Sequence, residues 1–362
     1  MSEECAETMP LRCMNRLPIV AVCGYSGAGK TTVLSAIVPR LVARGLHVTV
    51  VKHDAHGLDI DRAGKDSDRL FKAGADVLIR GPDQRVLRQH GDAEAALQTA
   101  LIELSSRTDV ILLEGHKTTP VVPKVWLRGA DGAAPPSEVT GIVCDLARTD
   151  DRESIVLEVI EERIEAARRA TPVYAGILIG GCSTRMGRPK HLLRHAGRTW
   201  AACAVEAVAG QVDEVVLLGA GEIAADVPRL ERLPDVTDAA GPLRGMLAAM
   251  RWAPFANWLF LPCDTPLLDA PAAAWLLAQP RPGTWAVLPR RSADAPAEPL
   301  AGWYGFRARP LLEAAAGPSA LASHPATAQP VLPAGMARGW DNLNGATDLA
   351  RLPVGRAESS AA

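Results

Sequence analysis

The chain has 362 residues, 48% of them hydrophobic, and its 39 basic and 41 acidic side chains leave a formal net charge of −2. That length suits two domains better than one, with enough apolar residues for a core in each, and a charge so near neutral argues against broad capture of nucleic acid, leaving only local basic pockets for phosphate. The seven cysteines are scattered without C-x-x-C spacing, the N-terminal MSEECAETMPLRCMNRL lacks a secretory pattern, and no apolar run is long enough for a membrane span, so a reduced, cytoplasmic chain without a membrane partner is expected.

Short β-branched runs alternate with helix-like segments, which predicts α/β architecture with largely parallel sheets. Ile19 to Cys23 reads as a strand entering a glycine-rich turn. A helix should follow from about Thr31, burying Leu34, Ile37, Val38 and Leu41 and stopping at Gly45. His47 to Lys52 is the next strand, and Val110 to Leu113, wholly apolar, suits a central one. Asp131 to Glu138 is loop-like. Arg152 to Ala170 has an amphipathic stripe of Ile155, Val159, Ile160 and Ile164, and Thr171-Pro172 ends it. Ala175 to Ile179 then opens a second glycine-rich turn. The expected organisation is one α/β domain over 1–171 and a second over 172–362.

GYSGAGKTT, Gly24 to Thr32, fits G-x-x-x-x-G-K-[ST] between a strand and a helix. Gly27 and Gly29 let successive backbone N–H groups turn toward phosphate oxygens. Lys30 supplies a point charge, and the Thr31 hydroxyl is placed to hold Mg²⁺. Glu114, at the carboxyl end of a buried strand, is a candidate for the metal or for orienting an attacking water, with Asp54 as the other candidate. His53 and His56 have no matching third ligand and read as solvated or hydrogen-bonded.

In the second half, GILIGGCSTRMGRPK (Gly176 to Lys190) reads as a strand, then Gly180-Gly181, then a basic loop with Arg185 and Lys190. Nucleotidyl transfer needs backbone N–H groups around a triphosphate and cations to neutralise the departing pyrophosphate. WLFLPCDTPLL (Trp258 to Leu268) predicts a strand ending at Asp264, a candidate Mg²⁺ ligand. Between them, LPDVTDAAGPLRGM offers Asp235 or Asp238 as a nucleoside contact, because a carboxylate can accept from both N1–H and the exocyclic amine of guanine. Gly245 is expected near the start of a helix.

Val50 to Asp76, the phosphate loop and LLEGHK ending at Lys117 together resemble the molybdopterin-guanine dinucleotide biosynthesis adaptor family, MobB, from about Pro18 to Arg128. The resemblance implies a GTP-binding, typically dimeric P-loop domain with weak hydrolysis. It places Gly27, Gly29, Lys30, Thr31 and Thr32 on the nucleotide, and it gives the matching segment Lys65-Asp66-Ser67 no firm chemistry. From about Tyr174 to Leu352 the chain is similar to the molybdenum cofactor guanylyltransferase family, MobA, so the two resemblances imply a P-loop NTPase domain over 1–171 and a Rossmann-like nucleotidyltransferase domain over 172–362. There Leu178, Gly180, Gly181, Lys190 and Asp235 match GTP contacts, and Asp264 matches the magnesium and GTP ligand. Asn342 and Asn344, with Asp348 following, resemble the segment facing the pterin, with Gly345-Ala346 replacing the usual Thr-Pro. Gly219 stands where some members carry an asparagine, and Arg188-Pro189-Lys190 also resembles the cytidylyltransferase relatives. The implied activity is transfer of GMP from GTP to molybdopterin or Mo-molybdopterin with Mg²⁺, the implied partners being molybdopterin-handling proteins and apo-molybdoenzymes. CTP as the substrate, and an N-terminal half that serves only as a docking module, remain the alternatives.

Overall fold

The computed structural model describes residues 17–53, 63–90, 93–179 and 189–343. Asp54, His56, Gly180, Gly181, Arg185, Asn344 and Asp348 lie outside the described residues. Two compact units share the chain, the main division falling between Arg163 and Ile164.

In the first unit, β1 (Ile19–Cys23) leads through the glycine-rich loop into α1 (Lys30–Val42), and β2 (Val48–Lys52) follows. Next come α2 (Asp66–Lys72), β3 (Val77–Arg80), β4 (Arg85–Arg88) and α3 (Ala93–Ser105). The remaining elements are β5 (Val110–Glu114), β6 (Lys124–Leu127), β7 (Ile142–Leu146) and α4 (Arg152–Ala170), the last crossing the division. Five strands form a sheet in the order β2-β5-β1-β6-β7, every pairing parallel. All residues of β1 and β5 are buried, as strands inside a covered parallel sheet require. β3 and β4 form a separate antiparallel hairpin. α1 buries Val33, Leu34, Ile37 and Leu41; Val38, expected with them, is half-buried at the margin of the same stripe, which Val33 joins one turn before Ile37.

In the second unit, β8 (Val173–Leu178) precedes the short pair β9 (Arg194–His195) and β10 (Arg198–Thr199). α5 (Trp200–Val208) starts at Thr199, whose hydroxyl accepts from the Ala202 N–H. β11 (Glu214–Leu218), β12 (Glu231–Leu233), α6 (Leu243–Trp252) and β13 (Asn257–Pro262) follow. α7 (Ala270–Leu277) is capped by Asp269, and β14 (Ala286–Val287), β15 (Gly302–Tyr304) and β16 (Thr327–Ala328) complete the sheet. Its order is β12-β11-β8-β13-β15-β14-β16. The first four strands run parallel, and β15 reverses direction against β13 and β14. Gly176 in β8 has no room for a side chain: a Cβ there would stand 2.7 Å from both Leu218 Cδ1 and Phe260 Cδ1. The space is filled by the Leu218 and Phe260 side chains, and the parallel register, with Leu178 opposite both Leu218 and Pro262, brings the carboxyl ends of β8, β11 and β13 together at one edge.

Candidate nucleotide sites

The first candidate site sits where β1 gives way to α1. Gly24, Gly27 and Gly29 have φ of 148°, 73° and 89°, a region that side chains disfavour. Gly24 is doubly constrained, since a Cβ would approach Leu127 O to 2.5 Å. Lys30 folds back over this loop, its Nζ donating to Gly24 O at 3.2 Å and Tyr25 O at 2.9 Å. Burial pushes its ammonium below the usual lysine value, while Glu114 pulls it up. The Thr31 hydroxyl donates to Glu114 Oε1 at 2.6 Å, and Thr32, one residue on, is exposed. A hydroxyl and a carboxylate meeting beside a phosphate cradle are a donor set that fits Mg²⁺.

Two arginines brace the loop from behind. Arg152 donates to Ala28 O at 2.8 Å, Ala147 O at 2.8 Å, Arg128 O at 2.6 Å and Leu146 O at 3.1 Å. Arg148 reaches Gly27 O at 3.0 Å. Lys117 lies 4.4 Å above the Tyr25 ring, a cation–π contact at the loop's first residues. His53 and His116 face each other with ring centroids 5.4 Å apart. Lys65 precedes α2, where Asp68 accepts from Gly64 N–H and Lys72.

The second candidate site is a cleft of about 490 Å³ at the carboxyl ends of β8, β11 and β13. Leu178 and Ile179, Leu218, and Pro262 to Asp264 supply its floor; Gly241, Pro242, Arg244 and Gly245 supply one wall. Lys190 and Asp264 join within it at 2.8 Å, Lys190 Nζ donating to Asp264 Oδ2. Asp264 lies beyond the strand it was expected to end: β13 stops at Pro262, and the Thr265 hydroxyl donates back to Pro262 O at 3.0 Å. That turn aims the carboxylate over the sheet edge. Asp264 O accepts from Leu343 N–H at 2.9 Å, which places exposed Asn342 beside the same turn. A single carboxylate facing a lysine fits Mg²⁺ held jointly with substrate phosphates, the usual mode for that ion.

Of the two aspartates left open by the sequence, Asp235 lines the cleft, whereas Asp238 pairs with Arg251 at 2.9 Å and is exposed. Gly245 is the third residue of α6, packed against the Asp235 side chain: its missing Cβ would lie 3.5 Å from Asp235 Oδ1.

The model for molybdopterin guanine dinucleotide synthesis protein B, MobB, matches residues 19–143, and that for a MobA-like NTP transferase domain matches residues 175–330. The molybdopterin-guanine dinucleotide biosynthesis adapter protein of Haemophilus influenzae is 35% identical over 135 residues, 37% of this chain and 75% of that protein. The chain belongs to the MobB family. Its second half is a MobA-like NTP transferase domain. A molybdenum cofactor biosynthesis bifunctional protein of Synechocystis sp. is 31% identical over 137 residues, 37% of this chain and 39% of that protein. A probable molybdenum cofactor guanylyltransferase of Bacillus cereus is 31% identical over 99 residues, 26% of this chain and half the length of that protein.

The chain is thus a bifunctional molybdenum cofactor biosynthesis protein with a MobB half and a nucleotidyltransferase half of MobA type, acting on a nucleotide substrate. In the MobB half the structure brings Gly27, Gly29, Lys30 and Thr31 of the loop beside Glu114 at the end of β5. In the MobA-like half it brings together Leu178, Lys190, Asp235 and Asp264. Sequence reasoning missed Arg148 and Arg152, whose link to the loop depends on strand order, and it gave Arg244 no role. The reciprocal pairing of Arg244 with the loop of Asp235 follows only from the fold. Among the described residues, no helix is long and apolar enough to cross a membrane.

Proposed function

We infer that the MobA-like half transfers GMP from GTP to the terminal phosphate of molybdopterin or Mo-molybdopterin, giving the guanine dinucleotide and pyrophosphate. The observation that carries this reading is the Lys190–Asp264 contact of 2.8 Å inside one cleft. A cation for phosphate oxygens and a carboxylate suited to Mg²⁺ then face the same substrate. The pterin phosphate oxygen forms a bond to the α phosphorus in line, the bond from that phosphorus to the β-phosphate oxygen breaks, and pyrophosphate leaves with the electron pair. The attacking phosphate is largely ionised near neutral pH, its second pKa being about 6, so no general base is required. Mg²⁺, held by Asp264 and substrate phosphates, would add charge neutralisation at the α phosphorus.

Lys190 neutralises the departing pyrophosphate, with Arg185 and the backbone of Gly180 and Gly181 assigned to the triphosphate by the family pattern. Asp235 accepts from the nucleobase, and Leu178 packs against it. Asn342 and Asn344 contact the pterin by the family pattern; the Leu343–Asp264 hydrogen bond supports the reading for Asn342 by holding it beside the site. In the MobB half, Gly27, Gly29, Lys30, Thr31 and Thr32 would hold the GTP phosphates, and Thr31 and Glu114 would hold Mg²⁺. That half serves as an adaptor, with a homodimer, molybdopterin-handling proteins and apo-molybdoenzymes as its partners. The domain limits 1–171 and 172–362 belong to the same proposal. The test is parallel incubation of the purified chain with molybdopterin, Mg²⁺ and either GTP or CTP. The dinucleotide should accumulate with GTP; accumulation with CTP alone would overturn the guanylyl assignment.

A further inference from the structure

The cleft of the MobA-like half carries a second pair of opposite charges, Asp235 and Arg244, both lining it. Unlike Lys190 and Asp264, these two do not neutralise each other. Arg244 is instead tied to the residue after Asp235: its Nε donates to Val236 O at 2.9 Å, and Val236 N–H donates to Arg244 O at 3.4 Å. This reciprocal bracket fixes the Asp235 loop to the first turn of α6. It also uses only Nε of the guanidinium, leaving the two Nη amines without a protein acceptor among the described residues. Asp235 likewise has no hydrogen-bond donor there. A fixed carboxylate and a fixed two-pronged donor therefore stand on the same short wall, with Leu178, Leu218 and Leu300 supplying apolar surface in the same cleft.

We propose that Arg244 reads the nucleobase, its Nη amines donating to O6 and N7 of guanine while Asp235 accepts from N1–H and the exocyclic amine. This deepens the GTP reading above and rests on it. A triphosphate would place its negative charge against Asp235 and could use only the arginine of the pair. A base edge presents donors and acceptors side by side. Guanine satisfies both carboxylate oxygens and both guanidinium amines, four hydrogen bonds in all. Cytosine offers one amine and two acceptors, and leaves one of those protein groups unpaired in a half-buried site. The apolar side chains suit the faces of the ring. Arg244 is thus a specificity-determining residue, distinct from the groups that hold the phosphates.

The test is equilibrium binding of GTP, ITP, CTP and inorganic pyrophosphate to the full chain carrying Lys30→Ala, which silences the loop of the MobB half. ITP lacks the exocyclic amine but keeps O6 and N7. Arg244→Ala should weaken GTP and ITP alike, by on the order of tenfold, weaken CTP by less, and leave pyrophosphate unchanged. Arg244→Lys should behave like the alanine variant, because a single ammonium cannot reproduce the fork. An equal loss for GTP, CTP and pyrophosphate, or full recovery by lysine, would reassign Arg244 to a phosphate; unchanged GTP binding would remove it from the site. If the chain with Arg244 intact binds CTP as tightly as GTP, the guanylyl reading fails first, and the two failures are told apart.

Discussion

Replacing Asp264 by asparagine removes one charge and almost no volume, so it separates chemistry from folding. The carboxylate meets Lys190 at 2.8 Å with the two side chains 22% and 23% exposed. The pair is half-buried but still reached by solvent, and it contributes on the order of 1 kcal/mol. The turn itself does not depend on that charge: Asp264 O still accepts from Leu343 N–H, and Thr265 still closes on Pro262 O. The thermal transition of this unit should therefore fall by roughly 2–4 °C at most. Turnover is expected to fall by on the order of 10²–10³-fold, as when one preorganised stabiliser of developing charge is lost. Steady-state dinucleotide formation at saturating GTP and molybdopterin, with calorimetry on the same samples, measures both. Near wild-type turnover would refute the reasoning, and so would a collapse of the thermal transition large enough to account for the lost rate.

Lys30→Ala should abolish GTP binding at the first site, because Lys30 is the cation folded over the loop carbonyls. Dinucleotide formation should survive if the MobB half acts as a docking module, and its loss in the same variant would show that the halves are chemically coupled. Gly176→Ala should destabilise the second unit by about 1–3 kcal/mol through overpacking against Leu218 and Phe260, read as a lowered thermal transition. Burial, helped by the neighbouring Asp264, pushes the Cys263 thiol from 9.0 up to about 12. The folded thiol then keeps a proton that the unfolded one releases, so its contribution is complete below pH 9 and fades as the pH climbs toward 12. Cys263→Ser should flatten that alkaline decline in melting temperature; an unchanged decline would assign it to other groups.

The phosphate loop was legible because its residue types are forced: positive φ at Gly24, Gly27 and Gly29 restricts those positions to glycine, and the lysine and threonine follow at fixed offsets. α4 was legible for a different reason, a helical stripe long enough to outweigh local noise, and its limits coincide with Arg152 and Ala170. β6 was not. It opens with Lys124, a residue strands rarely bury, yet Lys124 is 1% exposed and its ammonium is satisfied by Lys117 O at 2.9 Å. Strands of two residues such as β14 and β16 carry no periodicity to read. The same limit applies to the sites. Sequence motifs named Lys190 and Asp264 separately, but the two stand 74 positions apart, and only the pairing of β8 with β13 makes them neighbours. Arg244 was passed over because its partner is a main-chain carbonyl, which no side-chain pattern announces.

The most direct measurement follows the α phosphorus. The purified chain is incubated with molybdopterin, Mg²⁺ and GTP labelled at that atom, and the labelled products are separated. Label should move into a pterin dinucleotide as pyrophosphate appears. Label that stays in GTP, or passes only into GDP, would contradict a cleft in which Lys190 and Asp264 act on one triphosphate.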